Sequence, residues 1–235
     1  MAVSSIASVT LRVGKWFRTR RMQRFLAECA LTPATRVLDV GGNPLIWATL
    51  PPGARPQVVY LNLPRAAEPE DGVSSWVFAD GRQLPFADKS FDLVFSNSVI
   101  EHVGSLAAQK QFADEIQRVG RAHWVQTPNR WFPVEPHLLT PLIHWLPRSW
   151  QRVLVPRVSV WALTAEVDQL QRQYMLDHYL NDIRLLTARE LVSLFPESRL
   201  IRERALGWTK SFVATNAESP VEVVAAARRD ARVTS

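Results

Sequence analysis

Along the first 130 residues the apolar positions come in short runs rather than at helical spacing. "TRVLDV" (35–40), "PQVVYLNL" (56–63), "SSWVFAD" (74–80), "FDLVFSN" (91–97) and "AHWVQT" (122–127) are separated by polar or loop-like spacers. Short β-rich runs alternating with helix-length spacers predict βαβ units and a parallel sheet buried on both faces. The clearest helix falls between the fourth and fifth runs. There Ala108, Phe112, Ile116 and Val119 share one face, Ser105 can cap it and Gly120 can close it. A second helix starts at Thr187, with Glu190 three residues on in the capping-box pattern, and ends before Pro196. "SRLIRERAL" and "TKSFVATN" then predict two further strands around Gly207. The stretch from 128 to about 183 is proline-rich and carries no strand signal, so an α-helical insertion after the fifth strand is expected.

Composition narrows the class without naming it. The 235 residues are 47% hydrophobic and 21% charged, enough for one substantial core with an appended subdomain. The single cysteine, Cys29, allows neither an intramolecular disulfide nor a cysteine-based zinc site. No run approaches the length of a membrane span, and Arg12 and Lys15 break the N-terminal apolar stretch, so a cytoplasmic protein is expected. The formal charge of +6 is uneven, with six basic residues between Leu11 and Arg24 interleaved with Trp16, Phe17 and Met22. This basic amphipathic region (1–34) reads as a solvated helix face with a few core contacts, or as a segment lying on the anionic inner membrane surface. Nucleic acid is not expected as a partner on charge alone. Residues 217–235 read as a tail beyond a domain spanning 35–216.

Candidate chemistry begins where the first strand ends. Asp39-Val40-Gly41-Gly42 puts a carboxylate and two glycines at a strand–helix junction, where backbone can approach a ligand closely. A dinucleotide fingerprint would need glycine at 43 and 46, and Asn43 and Ile46 stand there. The segment 79–103, "ADGRQLPFADKSFDLVFSNSVIEHV", adds Asp80-Gly81, Leu84-Pro85-Phe86, Ser90-Phe91-Asp92 and Glu101-His102. Within it Leu84, Phe86, Phe91 and Val94 are expected in the core, and Asp92 is expected to satisfy nearby backbone.

Together with "VLDVGG" (37–42), this segment resembles the S-adenosylmethionine-dependent methyltransferases of the Rossmann-like class, specifically the bacterial type 11 group. The resemblance covers roughly 35–127. It implies a three-layer α/β sandwich with a mainly parallel seven-stranded sheet, and S-adenosyl-L-methionine as cofactor. Asp39, Gly41 and Gly42 would line the methionine part of the cofactor. Asn62 would stand where the family usually has an acidic ribose ligand. Asp80 would accept from the adenine amino group, with Gly81 giving backbone access, and Ser96 and Asn97 would border the sulfonium and the acceptor. Two departures are visible: Asn43-Pro44-Leu45 replaces further loop glycines, and Asn62 lacks the charge of a carboxylate.

"NRWFPVEPH" (129–137) follows the fifth strand and therefore emerges on the side where such sheets bind ligands. Pro133 and Pro136 exclude a regular helix or a central strand. Arg130, Trp131, Phe132 and Glu135 are expected to wall the acceptor pocket, Arg130 by pairing with Glu135 or by binding an anionic group. His137 is the first candidate for a general base and His102 the second. No metal is expected, because Ser98, Val99 and Ile100 put no further carboxylate before Glu101-His102. Trp145, Trp150 and Trp161 among Arg148, Arg152 and Arg157 suggest an interface with lipid or a lipid-linked acceptor, or an ordinary helical subdomain. The reading that results is methyl transfer to a small-molecule, sugar or lipid-linked hydroxyl. The alternatives are a non-catalytic cofactor-binding module and a peripheral membrane interaction protein.

Overall fold

The computed structural model describes residues 16–42, 44–47, 49–51, 53, 55–64, 75–159 and 169–219. Arg12, Lys15, Asn43, Trp161 and the tail from 220 onward, all of which carried expectations, lie outside the described residues.

Among the described residues nine strands form: β1 (Arg36–Val40), β2 (Gln57–Asn62), β3 (Ser75–Phe78), β4 (Phe91–Asn97), β5 (Gly120–Pro128), β6 (Val134–Glu135), β7 (Thr140–Pro141), β8 (Arg199–Ala205) and β9 (Trp208–Thr215). Seven make one sheet in the order β3-β2-β1-β4-β5-β9-β8. Strands β1 to β5 run parallel, and β9 pairs antiparallel with both β5 and β8. The helices are α1 (residues 16–28), α2 (Pro44–Trp47), α3 (Leu106–Val119), α4 (Arg148–Val158), α5 (Gln169–Asp182) and α6 (Ala188–Leu194).

The period of two along each strand builds the layers. Leu38, Val40, Val94, Val125 and Phe212 meet α3 and α6 through Phe112, Ile116, Val119, Leu191 and Leu194. Their neighbours Val37, Leu93, Phe95, Trp124 and Val213 point to the other face, against Met22 and Phe25 of α1 and Trp47 of α2. Phe25 sits edge-on to Trp47, Phe95 and Trp124 at centroid distances of 5.8, 4.9 and 5.2 Å, which fastens α1 to the sheet. The basic N-terminal segment thus has one face in the core, while Trp16 stays exposed.

The local signals act as the pattern predicts. Ser105 Oγ accepts from the Ala108 amide, and Thr187 with Glu190 forms a complete capping box. Asp92 accepts from the Arg36 amide, and Leu84, Phe91 and Val94 are core. The insertion after β5 departs from an all-helical one. Val134–Glu135 pairs antiparallel with Thr140–Pro141, a strand pair too short for any run to announce. Its own small core joins Leu138, Ile143, Val155, Leu176, Tyr179 and Ile183. Among the described residues no helix is long and apolar enough to cross a membrane.

His123 of β5 is buried, with Nε2 2.6 Å from Ser198 Oγ. Burial, helped by the Lys89 charge, pushes its pKa down to about 4 from 6.5. Between those values the unfolded chain binds the extra proton and the folded chain does not, so stability falls as pH drops through this window. Urea unfolding at pH 7 and pH 4.5 should show wild type losing more stability than His123→Asn, by up to about 3 kcal/mol. Equal losses in both proteins would show that His123 does not carry this dependence.

Candidate active site

The strand order reverses between β1 and β4, so the crevice beyond their carboxyl ends is where a sheet of this topology binds ligands. At the end of β1, Asp39 is buried and its Oδ2 accepts from Trp47 Nε1 at 2.7 Å. Gly41 follows with φ +76°, a conformation glycine adopts at no steric cost, and its amide donates to Leu61 O. A Cβ on Gly42 would lie 1.9 Å from the Asp39 carboxyl carbon, so only glycine lets the loop fold back over that carboxylate. Asn62 closes the loop from β2 by donating Nδ2 to Gly42 O at 3.0 Å, which leaves its amide oxygen to accept.

Asp80 lies beyond β3, where Arg82 clasps it through Nε and Nη2, the shortest contact being 2.6 Å. Hydrogen bonding from Arg82 lowers the Asp80 pKa. A ligand amine at Asp80 would share or displace that guanidinium. Gly81 is required by packing, since a Cβ there would come within 2.6 Å of the Phe112 ring.

Ser96 and Asn97 end β4. Ser96 is fully buried and its hydroxyl has no hydrogen-bond partner among the described residues. Asn97 Oδ1 accepts from Arg21 Nη1 at 2.6 Å, and Arg21 also holds Glu203 of β8 through two nitrogens at 2.8 and 2.7 Å. The basic run at the N-terminus therefore supplies a buried cation to the end of β4. Nothing in its sequence pattern distinguishes Arg21 from its neighbours.

The next turn carries the densest chemistry. After Ser98, at φ +57°, the chain enters a single 3-10 turn (Ile100–His102) that carries Glu101 and His102. Glu101 has no exposed surface; its Oε2 accepts from Thr127 Oγ1 of β5 at 3.0 Å, and Oε1 has no hydrogen-bond partner among the described residues. The insertion comes back over this turn. His137 Nε2 stands 3.2 Å from His102 Nε2, and His137 Nδ1 is 2.7 Å from Glu135 Oε1. Glu135 is itself fully buried and accepts from the Leu138 amide through Oε2. His178 of α5 stacks on His102 with an interplanar angle of 5°.

The environments push these groups apart. Burial raises the Glu101 pKa to about 7 and lowers that of His102 to about 4. For His137 burial is the largest influence and lowers it, but the bond and charge of Glu135 with the charge of Glu101 leave it raised.

His102, His137 and Glu135 come together although 35 residues separate the two histidines. The expected Arg130–Glu135 ion pair does not form, because both Glu135 oxygens are committed to His137 and Leu138. Arg130 instead lies over the Trp131 ring, and its carbonyl accepts from Trp145 Nε1 and faces His144 Nε2. Trp131 is 55% exposed and Phe132 is half-buried. A cavity of about 510 Å³ has Arg130, Glu135, Arg148, Tyr179 and Arg184 in its wall, and Trp131 and Phe132, expected to wall the acceptor pocket, do not line it. Burial lifts the Tyr179 hydroxyl above its usual range. Trp47, Arg21, Thr127, Tyr179 and Arg184 gave no readable signal, since each acquires its role through a contact distant in sequence.

Residues 56–123 match the family model of a methyltransferase domain, that of the type 11 group. The match starts at β2 and ends within β5, leaving out β1 and its glycine loop. A search of curated proteins returned no match. Among solved structures, a proposed Zn-dependent alcohol dehydrogenase of Rhodobacter sphaeroides superposes with a TM-score of 0.57 at 9% identity, over 85% of this chain and 89% of that one. A proposed exported protein of Bordetella parapertussis gives 0.50 at 16% identity, over 90% and 69%. A SAM-dependent methyltransferase of Methanosarcina mazei gives 0.45 at 15% identity, over 79% and 92%. At such identities the first two likenesses concern the fold. The match over 56–123 supports S-adenosylmethionine-dependent methyl transfer on a Rossmann-like fold, with S-adenosylmethionine as the cofactor.

If the 39–42 loop holds the cofactor, Gly42→Ala should displace the Asp39 carboxylate and weaken S-adenosylhomocysteine binding at least tenfold in calorimetry, with the circular dichroism unchanged. Asp80→Ala should cost about 1–3 kcal/mol of binding, as expected for losing one polar partner. Affinities within twofold of wild type would remove these residues from the cofactor site.

Proposed function

We propose that this methyltransferase acts on a hydroxyl of a small-molecule, sugar or lipid-linked acceptor that enters beside the insertion. The carrying observation is the meeting of His102 and His137 at 3.2 Å, one turn beyond the end of β4 and backed by Glu135. In-line methyl transfer needs an aligned nucleophile, and a hydroxyl must lose its proton as the new C–O bond forms. A cluster of two imidazoles and a buried carboxylate at the ligand-binding edge of the sheet suits that task.

The insertion supports an acceptor with a negatively charged portion. Arg130, Arg148 and Arg184 all face the cavity that reaches Glu135, and guanidinium forks match phosphate and carboxylate geometry. Two of them are partly engaged: Arg148 donates to Ile183 O and Gln151, and Arg184 to Gln109 and Glu190. Among the described residues the Arg130 side chain has only its ring contact with Trp131, which makes it the one best placed to take a ligand anion. Trp150, Val153 and Val158 of α4 are exposed beside Arg152 and Arg157, a pattern suited to resting on an anionic lipid surface. This favours a lipid-linked acceptor met at the cytoplasmic face of the membrane.

Methyl-labelled S-adenosylmethionine incubated with lipid and soluble extracts should yield a labelled product whose methyl survives alkali, as an ether does and an ester does not. His137→Asn should bind the cofactor within about threefold of wild type and lower turnover by roughly 10²–10⁴. An alkali-labile or amine-linked methyl would overturn the hydroxyl acceptor. Wild-type turnover in His137→Asn would remove the cluster from catalysis.

A further inference from the structure

Glu101, His102 and His137 can each offer one donor atom, and these atoms all lie within 4.8 Å of one another. We propose that they are the ligands of a divalent transition-metal ion of the zinc type, with a fourth position open toward the acceptor. The inference deepens the reading of this cluster as the place where the acceptor hydroxyl is activated, and rests on it for the use made of the ion.

The spacing suits an ion. Two imidazole nitrogens bound tetrahedrally at roughly 2.0–2.1 Å stand roughly 3.3 Å apart. Here the two Nε2 atoms are 3.2 Å apart. A hydrogen bond between the rings would also fit that distance, but it would do nothing for Glu101. That carboxylate is fully buried, and its Oε1 has no hydrogen-bond partner among the described residues. Stranding a carboxylate oxygen away from water is costly unless a cation meets it. One ion satisfies all three donors together, with the carboxylate moving in by a side-chain adjustment.

The surrounding contacts are those a metal site requires. Glu135 holds His137 Nδ1 at 2.7 Å, which keeps the proton on that nitrogen and turns the Nε2 lone pair inward. Thr127 Oγ1 fixes the other Glu101 oxygen at 3.0 Å. His178, whose ring stacks on His102, is tied through Nδ1 to Asp182 and so flanks the site without closing it. Two imidazoles and one carboxylate suit zinc and its neighbours, whereas magnesium and calcium favour all-oxygen sets. The sequence pointed away from a metal because no carboxylate precedes Glu101 locally. The missing donor arrives from the insertion instead.

With the ion present, the acceptor hydroxyl binds the open position and releases its proton to water. The metal-held alkoxide attacks the methyl carbon as the carbon–sulfur bond breaks, and its electron pair returns to sulfur as the neutral thioether. His137 then serves as a ligand rather than as a free base.

The test uses the full, tag-free chain with Zn²⁺ or Co²⁺ alone, without methyl donor or acceptor. Competition against a chromophoric chelator should show one tight site per chain, and Co²⁺ should give the visible bands of four-coordinate nitrogen and oxygen ligation. Glu101→Gln and His137→Asn should weaken this site at least 100-fold, and Glu135→Gln should weaken it 10–100-fold. His144→Asn should leave it unchanged. Because Glu101 is buried, thermal unfolding in chelator confirms that each variant folds, and zinc should raise the melting temperature of wild type and His144→Asn but not of Glu101→Gln or His137→Asn. No stoichiometric site in wild type, or equal affinity in Glu101→Gln and His137→Asn, would overturn the proposal. Methyl transfer is assayed separately. Tight metal binding with no transfer would overturn the functional reading and leave the metal site standing; transfer undiminished by chelation would overturn the ion's catalytic role.

Discussion

A carboxylate with no access to solvent governs the architecture around the site. Glu101 sits on a single 3-10 turn at the end of β4, and β5, α3 and the chain returning from the insertion each bond to that turn. Thr127 reaches it from β5, and the Arg184 amide donates to its carbonyl at 2.8 Å as the insertion returns to the sheet. Gln109 of α3 binds both the Ile100 and Arg184 carbonyls, and its own oxygen accepts from Arg184. Both ends of the insertion are thereby fastened to the turn they overhang. Removing one member of such a network strands the others, which makes it rigid and places His102 and His137 with little freedom.

Two halves of the crevice are built by different means. The side proposed for the cofactor relies on close backbone approach: Gly41 in the left-handed region and Gly42 against Asp39, with Trp47 and Asn62 fixing the loop from either side. The side proposed for the acceptor relies on side chains delivered by a separate small core. Between them, Asn97 at the tip of β4 is held by Arg21, so the N-terminal helix also has a hand in shaping the boundary. The Arg21–Glu203 pair and the Phe25 contacts carry that helix on the sheet, giving part of the basic segment a structural use alongside any contact with lipid.

The sheet was legible because its strands announce themselves locally. Runs such as "VLDV" and "FDLVF" are buried on both faces, and the two helix starts at Ser105 and Thr187 carry side-chain caps that work through neighbours three residues away. Asp39, Gly41 and Gly42 stood out because they close a strand at a strand–loop–helix junction, whereas Asn62 stood out only through the family resemblance. The β6–β7 pair was not readable, since two residues cannot show a period. Likewise, the pairing of Glu135 with His137 rather than Arg130 depends on where the insertion folds back, and spacing along the chain does not encode that. The Glu101–His102–His137 cluster was half visible: each residue stood out by type, and only the tertiary fold brought them together.

On the function proposed, the 39–42 loop and the Glu101–His102–His137 cluster face one another across one crevice. A crystal structure of the chain with S-adenosylhomocysteine measures this directly. The cofactor sulfur should lie over Gly41, with roughly 6–7 Å between it and the nearer of the two histidine Nε2 atoms, the span of a methyl group and one oxygen in line. A sulfur more than about 10 Å from both rings, or one buried on the far side of β1, would contradict it.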